Sequence, residues 1–432
     1  MTQLPDPLDP APTPQQGAGA PHARDFFLAR QPILDRSQGL VAYELLFRSA
    51  AAGPANVTDD LLATASVMAN AFELGMHNVV GNALAFVNVD AAVLMSDFVK
   101  FLPSDKVVLE ILETVQVTSA LIDRISQLAR AGFRFALDDV IATSADVMAL
   151  LPVVDIIKID IRDLTPHDLR RLSTRFKSAG KRLLAEKVET LAEFEQCLAL
   201  DFDYFQGYYF AKPVVLSGKK LSPSQLAIMN LMELIRNDAD GSAIEKTIKQ
   251  DASLGLNLLR LVNTPGAGVL HRIDSLSQAV MVLGRLQLQR WLQILLYAEP
   301  RKAARSLPPL LVMATTRGKL LELIVARLYP GNRALADKAF TVGIMSLMDA
   351  LFGQPMEDIL EQIAVAGEVR QALLERSGTF GEILKLVESI ERIEKNSPLL
   401  LPVLDQIGLS LEELNGLQLE AFEWSNSISG GA

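Results

Sequence analysis

The sequence predicts an α/β fold: a (β/α)8 barrel with an antiparallel first strand, followed by an all-α helical domain. Two observations lead to this prediction. Between residues 26 and 213, eight short apolar runs occur, and helical patterns separate most of them. Beyond residue 213 the apolar residues recur with helical spacing, without a second series of strand patterns. Alternating strands and helices are typical of a parallel sheet covered by helices, and eight strands in so short a segment favour a closed barrel.

The strand patterns follow one another in a definite order. The first two, FFLARQPIL and GLVAYELLF, meet at the turn DRSQG, which predicts an antiparallel hairpin. Helical patterns such as TSALIDRISQLARAG and TLAEFEQCLAL lie between later strands. An open doubly wound sheet is the alternative, but no glycine-rich phosphate loop follows any strand pattern. The six later strand patterns are ALAFVNV, KVVLEI, FRFAL, VDIIKI, RLLAEKV and FDYFQ.

These patterns divide the chain into three regions. Residues 1–24 are rich in proline, alanine and glutamine and lack the basic start and apolar core of a secretory signal, so we predict a disordered leader. Residues 25–213 form the predicted barrel. Residues 214–432 form the predicted helical domain, with patterns such as SQLAIMNLMELIRN and SLSQAVMVLGRLQLQRWLQILL.

Composition narrows the classes of function. The net charge of -10 and the isoelectric point near 5.1 argue against DNA binding, which needs a basic face, although a local basic pocket remains compatible. Cys197 is the single cysteine, so an internal disulfide is excluded and a cytoplasmic location is expected. No apolar run approaches the ~18 residues that a membrane span needs.

Polar residues lie near the ends of seven predicted strands. In a barrel of this kind the chemistry sits at the carboxyl ends of the strands, so these side chains should converge on one pocket. Each residue alone has a structural explanation: an aspartate can cap a helix, a lysine can pair with an acid, and Arg48 can lie on the surface. The set comprises Glu44, Asn88, Glu110 with Glu113 just after it, Asp138 with Asp139, Lys158 with Asp160, Glu186 and Gln206.

So many acids in one pocket would repel one another by several kcal/mol without a compensating charge. A hard divalent cation, Mg²⁺ or Mn²⁺, prefers the oxygen ligands that Glu, Asp and Asn supply. The chain has no cluster of histidine or cysteine, which argues against zinc. The adjacent Asp138 and Asp139 suit a pair of metals about 3.5–4 Å apart, as used in phosphodiester hydrolysis.

Residues 26–213 resemble the EAL domain of bacterial cyclic-di-GMP signalling proteins, which is named for a Glu-Ala-Leu signature. The resemblance implies a TIM-like barrel that hydrolyses cyclic di-GMP to the linear dinucleotide pGpG with Mg²⁺ or Mn²⁺. The stretches that carry it, in the family's order, are RQPILDR, YELLFR, FVNVD, LEILE, LDD, IKID, AEKVET and QGYYFAKP.

The resemblance also implies roles for individual residues. Lys158 orients or polarises the attacking water, and with Glu44 and Glu186 it forms the expected catalytic set. Glu113 positions the loop after the fifth strand. The expected ligands of the first metal are Glu44, Asn88, Glu110 and Asp138, those of the second are Asp139 and Glu186 with Asp138 shared, and the expected substrate contacts are Gln31, Arg48, Asp160 and Gln206.

The sequence departs from the family around these positions. Leu45 replaces the signature alanine, and Asp90 replaces a serine. The loop VIATSAD at residues 140–146 replaces a Phe-Gly-Thr-Gly loop that shapes the second metal site and the dimer contact. Lys187 replaces a glycine, and its ammonium either competes with the metal or points outward. Because the expected metal ligands and Lys158 are retained, we expect an active cyclic-di-GMP phosphodiesterase. The departures support the alternative, a weakly active or inactive sensor or scaffold. Whether the chain forms a homodimer remains open.

The helical region resembles the HDOD module, a relative of HD-type phosphohydrolases. The stretch IKQDASLGLNLLRLVNTPGAG carries this resemblance, and Asp251, Asn263, Leu283 and Gly284 fall on recurrent positions. Where HD enzymes have a metal-binding His-Asp pair, this chain has Ser346 and Leu347. We therefore expect no metal chemistry there, and instead a surface that binds another, unidentified protein or the barrel.

Overall fold

The computed structural model contains a closed eight-stranded barrel and a helical region. It describes residues 26–49, 76–210, 223–249, 254–255, 258–259, 262–263, 273, 275–297, 309–362, 365–391 and 397–429. The predicted leader lies outside these residues, as do Asp251 and the side chain of Arg48.

The barrel strands follow one another in chain order, and the last closes on the first. The first strand pairs antiparallel with both of its neighbours, and all other pairs are parallel. This confirms the predicted (β/α)8 barrel with an antiparallel first strand. The strands are β1 (Phe26–Asp35), β2 (Leu40–Ser49), β3 (Leu84–Val89), β4 (Val107–Ile111), β5 (Arg134–Leu137), β6 (Ile156–Asp160), β7 (Arg182–Glu186) and β8 (Tyr204–Gln206).

Local sequence explains the hairpin and the helix starts. The Asp35 carboxylate accepts hydrogen bonds from the N–H groups of Ser37 and Gly39, which closes the turn between β1 and β2. Threonine or serine caps four of the barrel helices, and Thr190 forms a reciprocal capping box with Glu193. The barrel helices are α1 (Met76–Val80), α2 (Ala91–Met95), α3 (Ser119–Arg130), α4 (Ala145–Leu150), α5 (Pro166–Ser178) and α6 (Leu191–Ala199).

The barrel interior has an apolar layer beneath a polar one. Because side chains alternate between the two faces of a strand, residues two positions apart point into the same space. On six strands the residue two positions before a polar site residue is a buried apolar one. In β1, which runs the other way, Ile33 follows Gln31. The buried members of the apolar layer are Ile33, Ala42, Phe86, Val108, Ala136, Ile156 and Leu184.

The helical region is built around an apolar core that also includes Ala29 of β1. None of the helices that the structure describes combines the length and the hydropathy that crossing a bilayer requires. The helices are α7 (Pro223–Arg236), α8 (Gly241–Lys249), α9 (Leu276–Leu295), α10 (Pro309–Leu328), α11 (Arg333–Met345), α12 (Met348–Phe352), α13 (Met356–Gln362), α14 (Gly367–Glu375), α15 (Gly378–Glu391), α16 (Ser397–Ile407) and α17 (Leu411–Ser429).

Two HDOD-like positions have structural roles. The side chain of Asn263 donates to the carbonyls of Leu259 and Ile273 and accepts from the Ile273 N–H, so it holds two segments together. Gly284 interrupts α9 with φ 68° and ψ 174°. Only glycine adopts this conformation easily, so the α9 kink explains why glycine stands there.

The helical region packs against the barrel at β1. Strand β8 pairs only with Ile33–Asp35, which leaves the first part of β1 without a strand on that side. Two side chains of α17 form hydrogen bonds with this part of β1: Asn415 accepts from the Leu28 N–H at 3.3 Å, and Gln418 donates to the Leu28 carbonyl at 3.1 Å. Nearby, the Arg30 guanidinium stacks between the rings of Tyr43 and Phe422. Helix α17 thus covers an exposed strand edge.

Candidate active site

Lys158 lies at the centre of the polar layer. Its side chain is about 1 % exposed, and its Nζ lies 2.7 Å from Asp138 Oδ1 and 2.8 Å from Glu110 Oε1. The same atom lies 3.0 Å from Glu186 Oε1 and 3.4 Å from Glu44 Oε2. These four carboxylates come from β2, β4, β7 and the residue after β5. The convergence expected from the strand ends is therefore present.

Amide side chains hold Glu44 from two sides. Asn88 Nδ2 donates to Glu44 Oε1 at 3.2 Å, and Gln206 Nε2 donates to Glu44 Oε2 at 2.7 Å. Gln206 Nε2 also donates to Gln31 Oε1 at 2.6 Å. Strand register explains this arrangement, since Gln31 pairs with Glu44 across β1 and β2. Two of the three predicted amide residues thus donate to one carboxylate, and the third, Gln31, accepts from Gln206.

The buried charges shift one another's pKa values. Burial, together with the charges of Glu44 and Asp138, raises the pKa of Glu110 well above its usual value. Burial chiefly raises the pKa of Glu186 to about 8, although Lys158 opposes this. Burial also acts on Glu44, but Lys158 and the amide donors outweigh it and lower its pKa. The site therefore holds protons on some acids when no other cation is present.

Several oxygen atoms in the pocket have no hydrogen-bond donor among the described residues. They include Asn88 Oδ1, Glu110 Oε2 and Glu186 Oε2, all of them buried. Buried acceptors are normally satisfied, so these oxygens require a further hydrogen-bond donor or a cation. Carboxylate and amide oxygens are the donor set that Mg²⁺ and Mn²⁺ prefer. The residues therefore fit a hard divalent cation.

A second acidic group lies beside the first. One oxygen each from Glu113, Asp138 and Asp139 lies within 4.8 Å of the others, and no other such trio of His, Cys, Asp or Glu occurs among the described residues. Asp139 has φ 45°, and burial followed by the charge of Asp138 raises its pKa. From the sequence, Glu113 is expected in this pocket as a residue that positions a loop, so its place among possible metal ligands is additional. Its spacing of three residues from Glu110, in LEILE, was the available signal.

The changed loop after Asp139 is anchored at both ends. Val140 is buried and its N–H donates to the Lys158 carbonyl at 3.0 Å. The Ser144 hydroxyl accepts from the Val147 N–H and caps α4. Between them Ile141 is 55 % exposed. The loop therefore starts from a fixed point beside the site although it lacks the family's glycines.

Lys187 points into the site. Its ammonium donates to Asp160 Oδ2, and the alternative of an outward-pointing side chain is thereby excluded. Asp160 also accepts from the Arg162 N–H at 3.0 Å, so a predicted substrate contact is held by two donors of the chain itself. Burial opposes the charged form of Asp160, but the Lys187 hydrogen bond and the backbone donor outweigh it and lower its pKa.

In the helical region a buried arginine contacts Ser346, one of the two residues that stand where HD enzymes have a metal-binding pair. Arg317 Nη1 donates to Ser346 Oγ at 2.7 Å, and its Nε and Nη2 donate to the two oxygens of Glu391 at 3.0 and 2.5 Å. The arginine is 2 % exposed. A bidentate ion pair of this kind fixes the packing of α10 against α15.

The chain matches two family models in succession, the EAL domain over residues 16–213 and the HDOD domain over residues 221–375. It is 31% identical over 411 residues to the uncharacterised protein YuxH of Bacillus subtilis, covering 93% of this chain and 98% of that one. It is 31% identical over 418 residues to the cyclic di-GMP phosphodiesterase CdgJ of Vibrio cholerae, covering 93% of each. A solved standalone EAL protein from Vibrio cholerae O395, in its c-di-GMP bound form, is 25% identical over 44% of this chain and 92% of that chain, with a TM-score of 0.36. Both curated relatives thus align with the barrel and the helical region together.

Proposed function

Because the chain belongs to the family of proteins that join an EAL domain to an HDOD domain, we propose that it is a phosphodiesterase that hydrolyses cyclic di-GMP to pGpG. One observation carries the proposal. Four carboxylates from four places around the barrel surround Lys158, next to buried oxygens that have no donor among the described residues. The name of the relative CdgJ supplies the substrate class.

The metal in this proposal is Mg²⁺ or Mn²⁺. When bound, such ions supply an activated water and neutralise charge that develops on the phosphoryl oxygens. The buried acceptors on Asn88, Glu110 and Glu186 support the assignment. The proposed ligands of the first ion are Glu44, Asn88, Glu110 and Asp138, and those of the second are Asp139 and Glu186 with Asp138 shared.

Other residues of the chain position and orient the reactants. Lys158 is fixed by its four acidic neighbours, and we assign it the role of holding the attacking water by a hydrogen bond. Gln206 and Gln31 keep Glu44 in place by their hydrogen-bond chain. Substrate contacts are assigned to Gln31, Arg48, Asp160 and Gln206, and Glu113 to positioning of the loop after β5.

The second candidate is a barrel that binds cyclic di-GMP, or no longer binds it, and acts through the helical region on a protein partner. The loop VIATSAD and the inward ammonium of Lys187 favour it, because both alter the neighbourhood of Asp139. Changes to residues that support metal ligands commonly lower affinity or activity ten- to a hundredfold. Under either candidate, the HDOD-like region serves protein interaction and regulation.

Hydrolysis distinguishes the candidates. The full chain is incubated with labelled cyclic di-GMP and Mn²⁺, and pGpG is measured over time. We expect steady production that falls at least a hundredfold in Glu44→Ala and is unchanged in Glu195→Ala, a matched change of an exposed glutamate on α6. Tight binding without turnover would support the sensor, and absence of binding would support the scaffold.

A further inference from the structure

The backbone at Lys187 is held in an unusual conformation. Its φ is 57°, in the left-handed region that residues with a Cβ rarely adopt. The next residue is fixed by β8: the Val188 N–H donates to the Gln206 carbonyl at 3.0 Å, and a Cβ on Gly207 would lie 2.1 Å from the Val188 oxygen. Val188 is therefore packed closely against the residues that end β8, and the lysine directly before it has the left-handed conformation despite the strain.

This turn directs the lysine side chain back over the end of the sheet. Asp160, which receives its hydrogen bond, pairs with Glu186 across β6 and β7 and has a side chain only 3 % exposed. The Lys187 side chain is itself 28 % exposed. Although burial alone would lower it, the pKa of Lys187 is raised by Asp160 and also by the charges of Asp139 and Glu186. The hydrogen bond to Asp160, which is the neighbour of Glu186 across β6 and β7, places the ammonium at the end of the sheet that carries Glu186, and the charge of Asp139 also acts on it there.

Two of those acids, Asp139 and Glu186, are the ones assigned above to the second metal. From this placement, and resting on the proposed function, we infer that the Lys187 ammonium competes with the second divalent cation for these carboxylates. The chain then binds one Mn²⁺ or Mg²⁺ tightly and a second only weakly. A tethered charge is present at any metal concentration, whereas the second cation must be taken up from solution. A glycine at this position would leave both carboxylates without the competing charge.

Coulomb repulsion sets the expected size of the effect. A single positive charge acting on a divalent cation a few ångströms away, partly screened by water, weakens binding about tenfold or more. The first site should respond less, because Glu44, Asn88 and Glu110 lie on β2, β3 and β4, across the closed barrel from the ends of β6 and β7 that carry Asp160 and Lys187.

The test is a Mn²⁺ titration of the full chain without nucleotide, in which binding is measured by calorimetry and by electron paramagnetic resonance. Lys187→Met removes the charge and Lys187→Gly also relieves the backbone. Lys181→Met is the matched control, since Lys181 lies just before β7, at the opposite end of that strand, and donates to the Val154 carbonyl. We expect wild type to bind one Mn²⁺ at least tenfold more tightly than a second. Both Lys187 variants should strengthen the weak site about tenfold and show the coupled signal of neighbouring ions at lower Mn²⁺, while Lys181→Met should match wild type.

The outcomes separate this inference from the proposed function. Two equally tight sites in wild type, unchanged in Lys187→Met, would overturn the inference alone. A wild type that binds no Mn²⁺ would overturn both. The expected binding pattern without pGpG production would support the competing lysine and count against hydrolysis.

Discussion

Replacing Lys158 by methionine tests whether its ammonium balances the buried acids of the barrel. The substitution keeps much of the side-chain volume and removes the positive charge. Glu44, Glu110, Asp138 and Glu186 would then face one another without the cation that now lies within 3.4 Å of each. Because all four lie in or directly beside barrel strands, their repulsion acts on the barrel itself.

Removing one partner of a buried ion pair typically costs about 3–5 kcal/mol, because it leaves charge buried without compensation. Here the acids limit the loss by taking up protons, as the raised pKa values of Glu110 and Glu186 already indicate. A carboxyl group whose pKa is raised by folding gives up stability as the pH rises from its unfolded pKa towards its folded one. We therefore expect a loss of about 3–5 kcal/mol for metal-free Lys158→Met at pH 8 and a clearly smaller loss at pH 5.

Hydrogen exchange is the suitable assay, because Trp291 and Trp424 both lie in helices of the helical region and neither lies in a barrel strand. Exchange of peptides from β4 and β6, with chelator present, gives the local free energy of opening. Lys177→Met is the control: this lysine pairs with Asp201 and Asp203 at a partly exposed site, where about 1 kcal/mol or less is expected. A loss below about 1 kcal/mol for Lys158→Met at pH 8, or the same loss at pH 5, would refute the reasoning.

Three further predictions follow from other contacts. Because the Glu186 pKa is about 8 without metal, Mn²⁺ binding at pH 7 should release a proton and strengthen as the pH rises towards 8; calorimetry in buffers of different ionisation enthalpy measures this, and an unchanged proton count in Glu186→Gln would contradict it. Arg30→Met should speed hydrogen exchange in α17, because the stacking on Phe422 is lost, and exchange as slow as in wild type would count against that contact. Gly343→Ala should lower the melting temperature of the helical region, read from tryptophan fluorescence, because the new Cβ would lie 2.6 Å from Gly318 Cα; an unchanged melting temperature would show that α10 and α11 can separate freely.

The barrel could be predicted because its eight short apolar runs alternate with helical patterns, and both kinds of pattern depend on local sequence. Glu44, Glu110 and Lys158 each lie near the end of a predicted strand, so their convergence followed once closure was assumed. The direction of the Lys187 side chain could not be predicted in this way. It depends on the sign of one backbone angle, which is set by the packing of β8 against the turn after β7.

The docking of α17 was equally inaccessible from sequence. Its pattern LEELNGLQLEAFEWSN predicts a helix, but Asn415 and Gln418 find their partners only because β8 is too short to cover the start of β1. A strand that ends early is a property of the assembled barrel. The sequence of one segment therefore cannot identify a binding partner that is a backbone edge formed by another segment.

The contacts of the helical region bear on Glu44 more directly than on the other acids. Helix α17 holds β1, which carries Gln31, and Gln31 is bonded to Gln206 of β8. Tyr208, two residues after Gln206, helps to raise the pKa of Arg317. Burial alone would lower that pKa, and Glu391 makes the largest contribution to raising it. The helical region therefore acts on β1 and on the segment just after β8, and these two strands carry the glutamines that position Glu44. A change in domain packing should then be felt first at Glu44, the acid that both glutamines and Lys158 hold in place.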